Sequence, residues 1–576
     1  MKTLWKLRPS SSLTPELAHA TGLSSVEAQL MINRGHTDAQ AVSAFLSPKL
    51  TQLENPLAMK DMDQAVALIL EALENRKSVT VYGDFDADGF TATALLYNFF
   101  SSLDVPVSYY IPDRLAEGYG LHGEALKKIA RRGKGVLITV DCGTTNQDEI
   151  ALAGSMGLDI VVTDHHQVPG GFLPRCPVIN PHRPDCPFPF KHLAGVGVSF
   201  FLAVALRAAL RKKKWFDHRP EPDLREYLDL VAIGTVADMV PLLDQNRILV
   251  RAGLDRIRHS RWPGIQAVAE LAALHGSDVS TSDLAYRMAP RLNASGRMGG
   301  AEISVMALTT HQPDIARELA GRLESMNAER QVIERKIMEE IEGRLSGEAV
   351  EDRRTLVMAG KGWHRGVLGI VASRLADRFH RPVLVLSIEN EMASGSGRSI
   401  PGFNLYKALS SLAHLLERYG GHKHAAGLAL KASAVEILAS EFEALAQKEI
   451  GEEDLVQTED VDAQVNLNDM DLENIRRLTS FSPFGPGNPE PLFYAGPCEV
   501  IEWRVVGEKH LKMKVRQNGS VIETIGFGLA ENHASPRGPI HFIFTPEIDR
   551  WQGRDKPQLR MIDLELADQP SKLVRS

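Results

Sequence analysis

Four cysteines, Cys142, Cys176, Cys186 and Cys498, are all that 576 residues contain, and their irregular spacing excludes the disulfide framework that staples small secreted domains. Thiols this sparse fit a reducing compartment, so the cytoplasm is the expected location. Cys176, His182 and Cys186 lie close in sequence, but no second close pair accompanies them, which favours free thiols over zinc. Long uncharged apolar runs are also missing. No stretch has the length a bilayer crossing requires, and the start Met1-Lys-Thr-Leu-Trp-Lys-Leu-Arg-Pro9 lacks the apolar centre of a secretory leader. Positive charge is not in excess either: the net charge is −8. That excludes a uniformly basic nucleic-acid binder and leaves room for a local cationic track. Candidates are Arg131, Arg132 and Lys134, the run Arg211-Lys-Lys-Lys214, the stretch from Arg251 to Arg261, and Lys509, Lys512, Lys514 and Arg516. Such a track matters only where its members converge on one groove.

What the sequence does have is acid placed where apolar segments end. Val81-Tyr-Gly-Asp84-Phe-Asp86-Ala-Asp88-Gly89 sets three aspartates at alternating positions between a strand-like and a helix-like stretch. Far downstream, Val161-Val-Thr-Asp164-His165-His166 closes another apolar run. Asp141 ends Gly135-Val-Leu-Ile-Thr-Val140, and Asp238 follows Val231-Ala-Ile-Gly-Thr-Val-Ala237. Each segment delivers an acid or imidazole at the C-terminal end of a buried strand or at the turn after a short apolar segment. In open α/β sheets, ligands bind at that edge. One such aspartate is an ordinary cap or turn residue. Several together repel one another and stay ionised only beside a cation. An oxygen-rich set suits Mg²⁺ or Mn²⁺, and an imidazole tilts the choice toward Mn²⁺ or another transition metal.

A chain this long exceeds what one core serves, so about two to four domains are expected. An N-terminal arm occupies 1–48. Over 49–305, apolar runs at Ser78 to Tyr82, Val107 to Ile111, Gly135 to Val140 and Ile160 to Thr163 alternate with helix-like segments, the pattern of a parallel sheet with crossover helices. Within 306–350, Pro313 to Leu345 carries no breaker except Gly321 and Gly343. It sets Ile315, Leu319, Leu323, Met326, Ile333, Ile337 and Ile341 at helical intervals, predicting one long helix. The expected task of that helix is to hold two domains apart across a groove, and a dimerising coiled coil is the alternative.

A second α/β domain is expected over 351–452. It opens with the strand Thr355-Leu-Val-Met-Ala359 and the segment Gly362-Trp-His-Arg-Gly366, then a helix through Arg378 and the strand Pro382-Val-Leu-Val-Leu-Ser387. Two glycine-dense loops, Ser394-Gly-Ser-Gly-Arg-Ser399 and Gly420-Gly-His-Lys-His-Ala-Ala-Gly427, read as anion cradles in which bare backbone lies beside Arg398, His422, Lys423 and His424. The tail, 453–576, alternates as strands do in Val500 to Val506 and Leu511 to Arg516, and Asn518-Gly519 marks a hairpin turn before Val521 to Phe527. Basic residues on one face of the second strand predict a small β-barrel with a cationic surface. Trp503, Phe527, Phe542, Phe544 and Trp551 serve either base stacking or the core, and strand alternation favours the core.

Further segments complete the pattern: Ile111-Pro-Asp-Arg114, Glu117-Gly-Tyr-Gly120, Leu193-Ala-Gly-Val-Gly-Val198, Gly234-Thr-Val-Ala-Asp238, Pro290-Arg-Leu-Asn-Ala-Ser-Gly-Arg297 and Phe484-Gly-Pro-Gly-Asn-Pro-Glu-Pro491. With the acids and the glycine segments, they make the chain resemble the DHH phosphoesterase superfamily over most of its length. Within that superfamily it resembles the bacterial single-strand-specific DNA exonucleases. Cys142 departs from the family pattern, where asparagine is usual, but that position is not a ligand.

The resemblance implies an α/β fold, with a parallel-sheet DHH domain joined by the long helix to a DHHA1-type substrate-binding domain and followed by an OB-like barrel. It also implies hydrolysis of single-stranded DNA from the 5′ end to mononucleotides, in recombination and repair, alongside a helicase and a single-strand-binding protein, while nothing in the sequence demands more than a monomer. Two divalent ions, Mn²⁺ or Mg²⁺, about 3.5–4 Å apart would serve the chemistry. Asp86, Asp88, Asp141, His165 and Asp238 are the expected ligands, with Asp141 shared, and Asp84 is either a ligand or an acceptor behind them. His166 would meet the scissile phosphate, and Asp164 would orient a neighbouring imidazole. By the same resemblance Ser396, Arg398, His422 and Lys423 face the metals across the channel. A terminal phosphate carries more charge than an internal one, so fixed cations one nucleotide from the metals would select it. Arg114 and Arg297, with Asn293 and Ser396, are the candidates. The alternative is a phosphoesterase acting on short oligonucleotides or cyclic dinucleotides, which needs neither the long helix nor the barrel.

Overall fold

Burial on both faces decides the first sheet. In the computed structural model, which describes residues 3–168, 170, 173–274, 279–346, 350–531, 533, 538–550, 554–569 and 571–575, β2 (Ser78–Tyr82), β4 (Gly135–Val140) and β5 (Asp159–Thr163) are buried along nearly their whole length. Continuous apolar strands of this kind suit a parallel sheet covered by helices on both sides. With β3 (Val107–Tyr110) and β6 (Val178–Ile179) they form a sheet in the order β3-β2-β4-β5-β6, parallel throughout. The chain leaves β2 toward β3 on one side and resumes at β4 on the other. The crevice at that reversal is where α/β sheets place ligands.

The helices Ala87–Ser102, Gly195–Lys212 and Leu228–Ala237 pack on one another over this sheet. The last of these is the apolar segment before Asp238. It is a helix because it is buried all round, and an unbroken apolar run carries no period that would tell helix from strand.

The long helix runs Pro313–Leu345. Its N-terminal half buries Ala316, Leu319, Ala320 and Leu323 in the core of the first domain. Its C-terminal half buries Ile337, Ile341 and Leu345 against the second. The second domain's sheet comprises β7 (Leu356–Lys361), β8 (Val383–Glu389), β9 (Met392–Arg398), β10 (Arg418–Gly421) and β11 (Ala425–Lys431), in the order β10-β11-β9-β8-β7. The expected glycine loops are thus corrected. Residues 394–398 belong to strand β9, and the second segment supplies β10, the tight turn 422–424 and the start of β11. Glycine serves close packing there, since a Cβ on Gly395 would stand 1.9 Å from the Val385 carbonyl oxygen.

At the C-terminus, β14 (Phe493–Val506), β15 (His510–Gln517), β16 (Ser520–Gly526), β17 (Pro539–Asp549) and β18 (Lys556–Leu566) close into a five-stranded barrel, because β14 pairs with both β15 and β17. Asn518 and Gly519, at φ +50° and +85°, make the expected hairpin turn. β13 (Ala463–Gln464) flanks β14. The arm is integral to this unit: Leu17, Leu30, Met31, Val42 and Phe45 share one core with Phe481, Phe493, Phe542 and Phe544. β1 (Leu4–Leu7) lies between β12 (Thr458–Val461) and β19 (Leu573–Arg575), parallel to both.

The segment 484–491 docks barrel and arm onto the first domain. Thr281 Oγ1 donates to the Phe484 carbonyl at 2.6 Å, and the Leu242 N–H to that of Pro486 at 2.7 Å. Arg247 lies 3.6 Å from the Phe45 ring and donates to the carbonyls of Phe45 and Ser482.

Candidate active site

Four segments meet at the C-terminal edge of the first sheet. After β2, Asp84 is buried and Asp86 caps the helix Ala87–Ser102, accepting from the N–H groups of Asp88 and Gly89 at 3.0 and 3.2 Å. Asp88 points the other way. Its two oxygens accept from the N–H groups of Gly195 and Val196, at 2.6 and 2.8 Å, at the start of the helix Gly195–Lys212. Gly195 must be bare, since a Cβ there would sit 2.7 Å from Asp141 Oδ1. After β4, Asp141 holds a left-handed backbone at φ +62°, the kind of strain that persists where function requires it. After β5, His165 turns Nε2 toward Asp141 Oδ1 at 3.0 Å, Asp238 Oδ2 at 3.6 Å and Asp88 Oδ2 at 3.8 Å.

Electrostatics make this cluster costly as it stands. Burial and then neighbouring carboxylates push Asp84 and Asp141 well above the ordinary range and raise Asp88, while burial raises Asp238 to about 7. Asp84 Oδ1, Asp141 Oδ1 and His165 Nε2 are buried and none is aligned for a hydrogen bond, although the last two stand 3.0 Å apart as an ion pair. Groups left unsatisfied in this way, with Asp141 in ligand reach of both Asp84 and His165, fit divalent cations. Three sets are close enough to hold one: Asp84, Asp86 and Asp141; Asp88, His165 and Asp238; and Asp141, His165 and His166. Asp141 belongs to two of the three, and among the described residues Cys176, His182 and Cys186 form no comparable set.

Asp164 is different. Burial alone would raise it, but hydrogen bonds from His166 Nδ1 at 2.8 Å and from the N–H groups of Thr144, His165 and His166 hold it well below the usual carboxylate range. It orients His166. Although burial opposes the cation, that contact lifts the imidazole to about 9.

The predicted cations gather from both domains. Arg114 lies 5.0 Å over the Phe85 ring. Arg297, at the end of the helix Ala289–Met298, donates to the Gly366 carbonyl at 3.2 Å. Arg398, on β9, donates to the Gly397 carbonyl. A Cβ on Gly369 would stand 3.1 Å from Arg398 Nη2 and 3.5 Å from Ser396 Oγ, which places both side chains beside the start of the helix Leu368–Phe379. Burial lowers Arg297 to about 9, with Arg114, Arg330 and Arg398 adding repulsion, and burial followed by Arg114 lowers Arg398. Asp86 opposes that repulsion at Arg297. Asn293 Oδ1 accepts from the Ala87 N–H at 2.8 Å and so braces the aspartate loop. His422 and Lys423 are exposed on the turn before β11, which is tied to this pocket by the Ser399 N–H donating to the His424 carbonyl.

Over 551 residues, 92% of its length, the chain is 37% identical to the single-stranded-DNA-specific exonuclease RecJ of Escherichia coli (strain K12), covering 94% of that protein. The chain belongs to the RecJ family. It is 40% identical to the RecJ of Dickeya dadantii (strain 3937), over 86% of this chain and 89% of that one. A model of the DHH family N-terminal domain matches residues 78–235, the DHHA1 domain 352–448 and the RecJ OB domain 461–563. The crystal structure of RecJ in complex with Mn²⁺ from Thermus thermophilus superposes with a TM-score of 0.84 at 31% identity, covering 99% of this chain and 80% of that one. The complex of the same protein with Mg²⁺ gives 0.78 at 30% identity, with 99% and 79% covered.

Sequence reasoning missed several contributors in this RecJ-family chain. Tyr119 places its hydroxyl 3.0 Å from His166 Nδ1 and 3.3 Å from the Asp141 carbonyl oxygen. It lies in a quoted segment, yet only the folded path of residues 111–122 brings it to the site. Asn180 bonds Thr144 Oγ1 and the His166 carbonyl. A cavity of about 840 Å³ also opens between Asn293, Glu490 of the docking segment and the barrel residues Glu547 and Arg560, with Met239 and Tyr286 on its wall, 71% and 80% exposed.

The barrel corrects one expectation. Lys512, Lys514 and Arg516 are paired across strands with Glu523, Glu502 and Glu499 at 3.1, 3.0 and 3.3 Å, so the cationic face is neutralised by its own neighbours. Phe542 and Phe544 are core, Trp503 and Phe527 are exposed, and Trp551 lies outside the described residues.

Proposed function

We propose that this chain hydrolyses single-stranded DNA from the 5′ end to mononucleotides, with two divalent ions, Mn²⁺ or Mg²⁺, as cofactor. The carrying observation is the unneutralised acid and imidazole cluster at the sheet reversal, set beside a pocket of three guanidinium groups. Asp84, Asp86, Asp88, Asp141, His165 and Asp238 would hold the ions, with Asp141 shared. Such ions supply Lewis acidity toward the phosphodiester and lower the pKa of water. Phosphoryl chemistry then asks the protein chiefly for positioning and charge.

His166 is turned by Asp164 and Tyr119 at Nδ1, which leaves Nε2 for a non-bridging oxygen of the scissile phosphate. Gly195 and Val196 donate to Asp88 and fix its carboxylate plane. Arg114, Arg297 and Arg398, with Ser396, take the terminal 5′-phosphate, whose extra charge relieves their mutual repulsion. His422 and Lys423 line the approach from the second domain. The cavity toward the barrel seats the remainder of the strand, with Tyr286 and Met239 offering faces for bases. A passage of this kind admits one strand, so a helicase would supply the substrate from duplex DNA, and a single-strand-binding protein is the expected companion. The chain acts as a monomer in the cytoplasm in this reading.

The test is product analysis on single-stranded DNA labelled separately at each end, with Mn²⁺ or Mg²⁺ and Asp141→Ala as control. Early mononucleotide from the 5′ label, lost in the variant, is the expected result. Hydrolysis confined to dinucleotides or cyclic dinucleotides would move the chain to the small-substrate alternative.

A further inference from the structure

The long helix changes chemistry halfway along one face. Ala316, Leu319, Ala320 and Leu323 bury apolar surface in the first domain, and Ile337, Ile341 and Leu345 in the second. Between them, on the same helical stripe, the buried residues are Asn327, Arg330 and Glu334, 3%, 8% and 1% exposed. Arg330 Nη1 donates to Glu334 Oε2 at 2.7 Å and Nη2 to Asn327 Oδ1 at 2.8 Å. From the second domain, Arg374 Nε reaches Glu334 Oε1 at 2.6 Å.

Apolar residues at these positions would continue the stripe, and replacing a buried ion pair with well-packed apolar groups commonly leaves a protein as stable or more so. Stability therefore does not account for the charges, whereas the definition of a register can. Both directions from Glu334 lead to the guanidinium pocket. Arg374 belongs to the helix Leu368–Phe379, whose Gly369 abuts Arg398 and Ser396. Arg330 belongs to the long helix, which packs along the helix Ala289–Met298 that carries Arg297. At the same junction the two domains touch backbone to backbone, since a Cβ on Gly366 would fall 2.1 Å from the Arg297 carbonyl oxygen.

We propose that Glu334 is a positioning residue: through Arg330 and Arg374, one buried carboxylate fixes the two halves of the guanidinium pocket at a single separation. This rests on the pocket's reading as the 5′-phosphate site. Glu334 touches no substrate in this scheme.

The experiment uses the full chain with two variants. Glu334→Gln removes the charge and keeps the shape, while the apolar triple Asn327→Leu, Arg330→Met, Glu334→Leu keeps the packing. Each is read by kinetics on 5′-phosphorylated and 5′-hydroxyl strands, and by the distance between spin labels at exposed Leu152→Cys and Ile437→Cys in a Cys176→Ser background. Expected are a Tm at or above that of the parent for the triple, a broadened label distance, and a KM for phosphorylated ends raised about tenfold, the scale of one charge-assisted contact. kcat and the KM for hydroxyl ends should stay within about twofold. An unchanged label distance, or equal losses on both kinds of end, overturns the proposal. A parent indifferent to the terminal phosphate would instead overturn the pocket's reading, and the label distance alone would then decide whether Glu334 sets the register.

Discussion

Two charged regions of this chain contrast: the acid cluster at the edge of the first sheet and the ladder on the barrel. In the ladder Lys512, Lys514 and Arg516 each meet a glutamate from a neighbouring strand, out in solvent. Such pairs contribute little and exchange readily with water and salt. In the cluster Asp84, Asp88 and Asp141 have been taken out of water beside the part-buried Asp238, the imidazoles of His165 and His166 are outnumbered by carboxylates, and burial has driven the pKa values of those four acids up. Charge alone therefore does not mark a site. Charge kept where the protein itself fails to neutralise it does, because something else must do so.

The strongest way to break the contrast is to remove a member of the cluster. Asp88→Ala should lower kcat on single-stranded DNA by roughly 10³-fold or more, and a loss under tenfold would mean the cluster is not the metal site. Metal addition tests the same point through stability. A carboxyl raised to about 7 when folded, as Asp238 is, binds a proton more tightly folded than unfolded. The metal-free chain should therefore lose stability as pH rises from the unfolded value near 4 to about 7. Mn²⁺ at a hundred times its Kd should restore about 2.7 kcal/mol, with a larger Tm increase at pH 8 than at pH 5.5 in a thermal melt. Equal increases at both pH values would contradict the assignment.

Asp164→Asn keeps every cluster carboxylate, weakens the hold on His166 and costs one of the acceptors that Thr144, His165 and His166 share, so a loss of roughly 10–100-fold in kcat is expected. Arg297→Ala should raise KM for 5′-phosphorylated strands roughly tenfold or more while sparing unphosphorylated ends. Equal loss on both ends would assign Arg297 to loop anchoring through its bond to Gly366. At the other pole, Lys514→Ala should change binding of single-stranded DNA by less than about fivefold, and a larger effect would restore the barrel's exposed face as a DNA surface.

Legibility followed the range of the cause. Asp84, Asp86, Asp88, Asp141, Asp164, His165 and His166 could be placed because a strand's apolar run and its end are local in sequence. The helix Pro313–Leu345 and the turn at Asn518 and Gly519 were readable for the same reason. The helix before Asp238 was not, since a mostly apolar run that is buried from Leu228 to Val236 shows no period. Gly395 and Gly397 read as punctuation, whereas the sheet uses them for close approach between strands. The neutralised ladder was hidden because Glu499 and Glu502 are matched to their lysine and arginine partners only by strand register. Tyr119 and the junction at Glu334 depend on contacts between distant segments, which no local pattern encodes.

The strip formed by β12, β1 and β19 sets a schedule for synthesis. Leu4 pairs with Thr458 and Trp5 with Leu573, so the first strand made must wait for partners near the far end of the chain. At roughly 5–20 residues per second, translation takes about 20–90 s to reach even the nearer of them. Throughout that interval Trp5, Leu17, Leu30 and Phe45, all buried at the end, have no barrel to cover them. The emerging arm is thus an apolar segment left uncovered for that interval, whereas the strands of the first sheet, all between residues 78 and 179, meet their partners early.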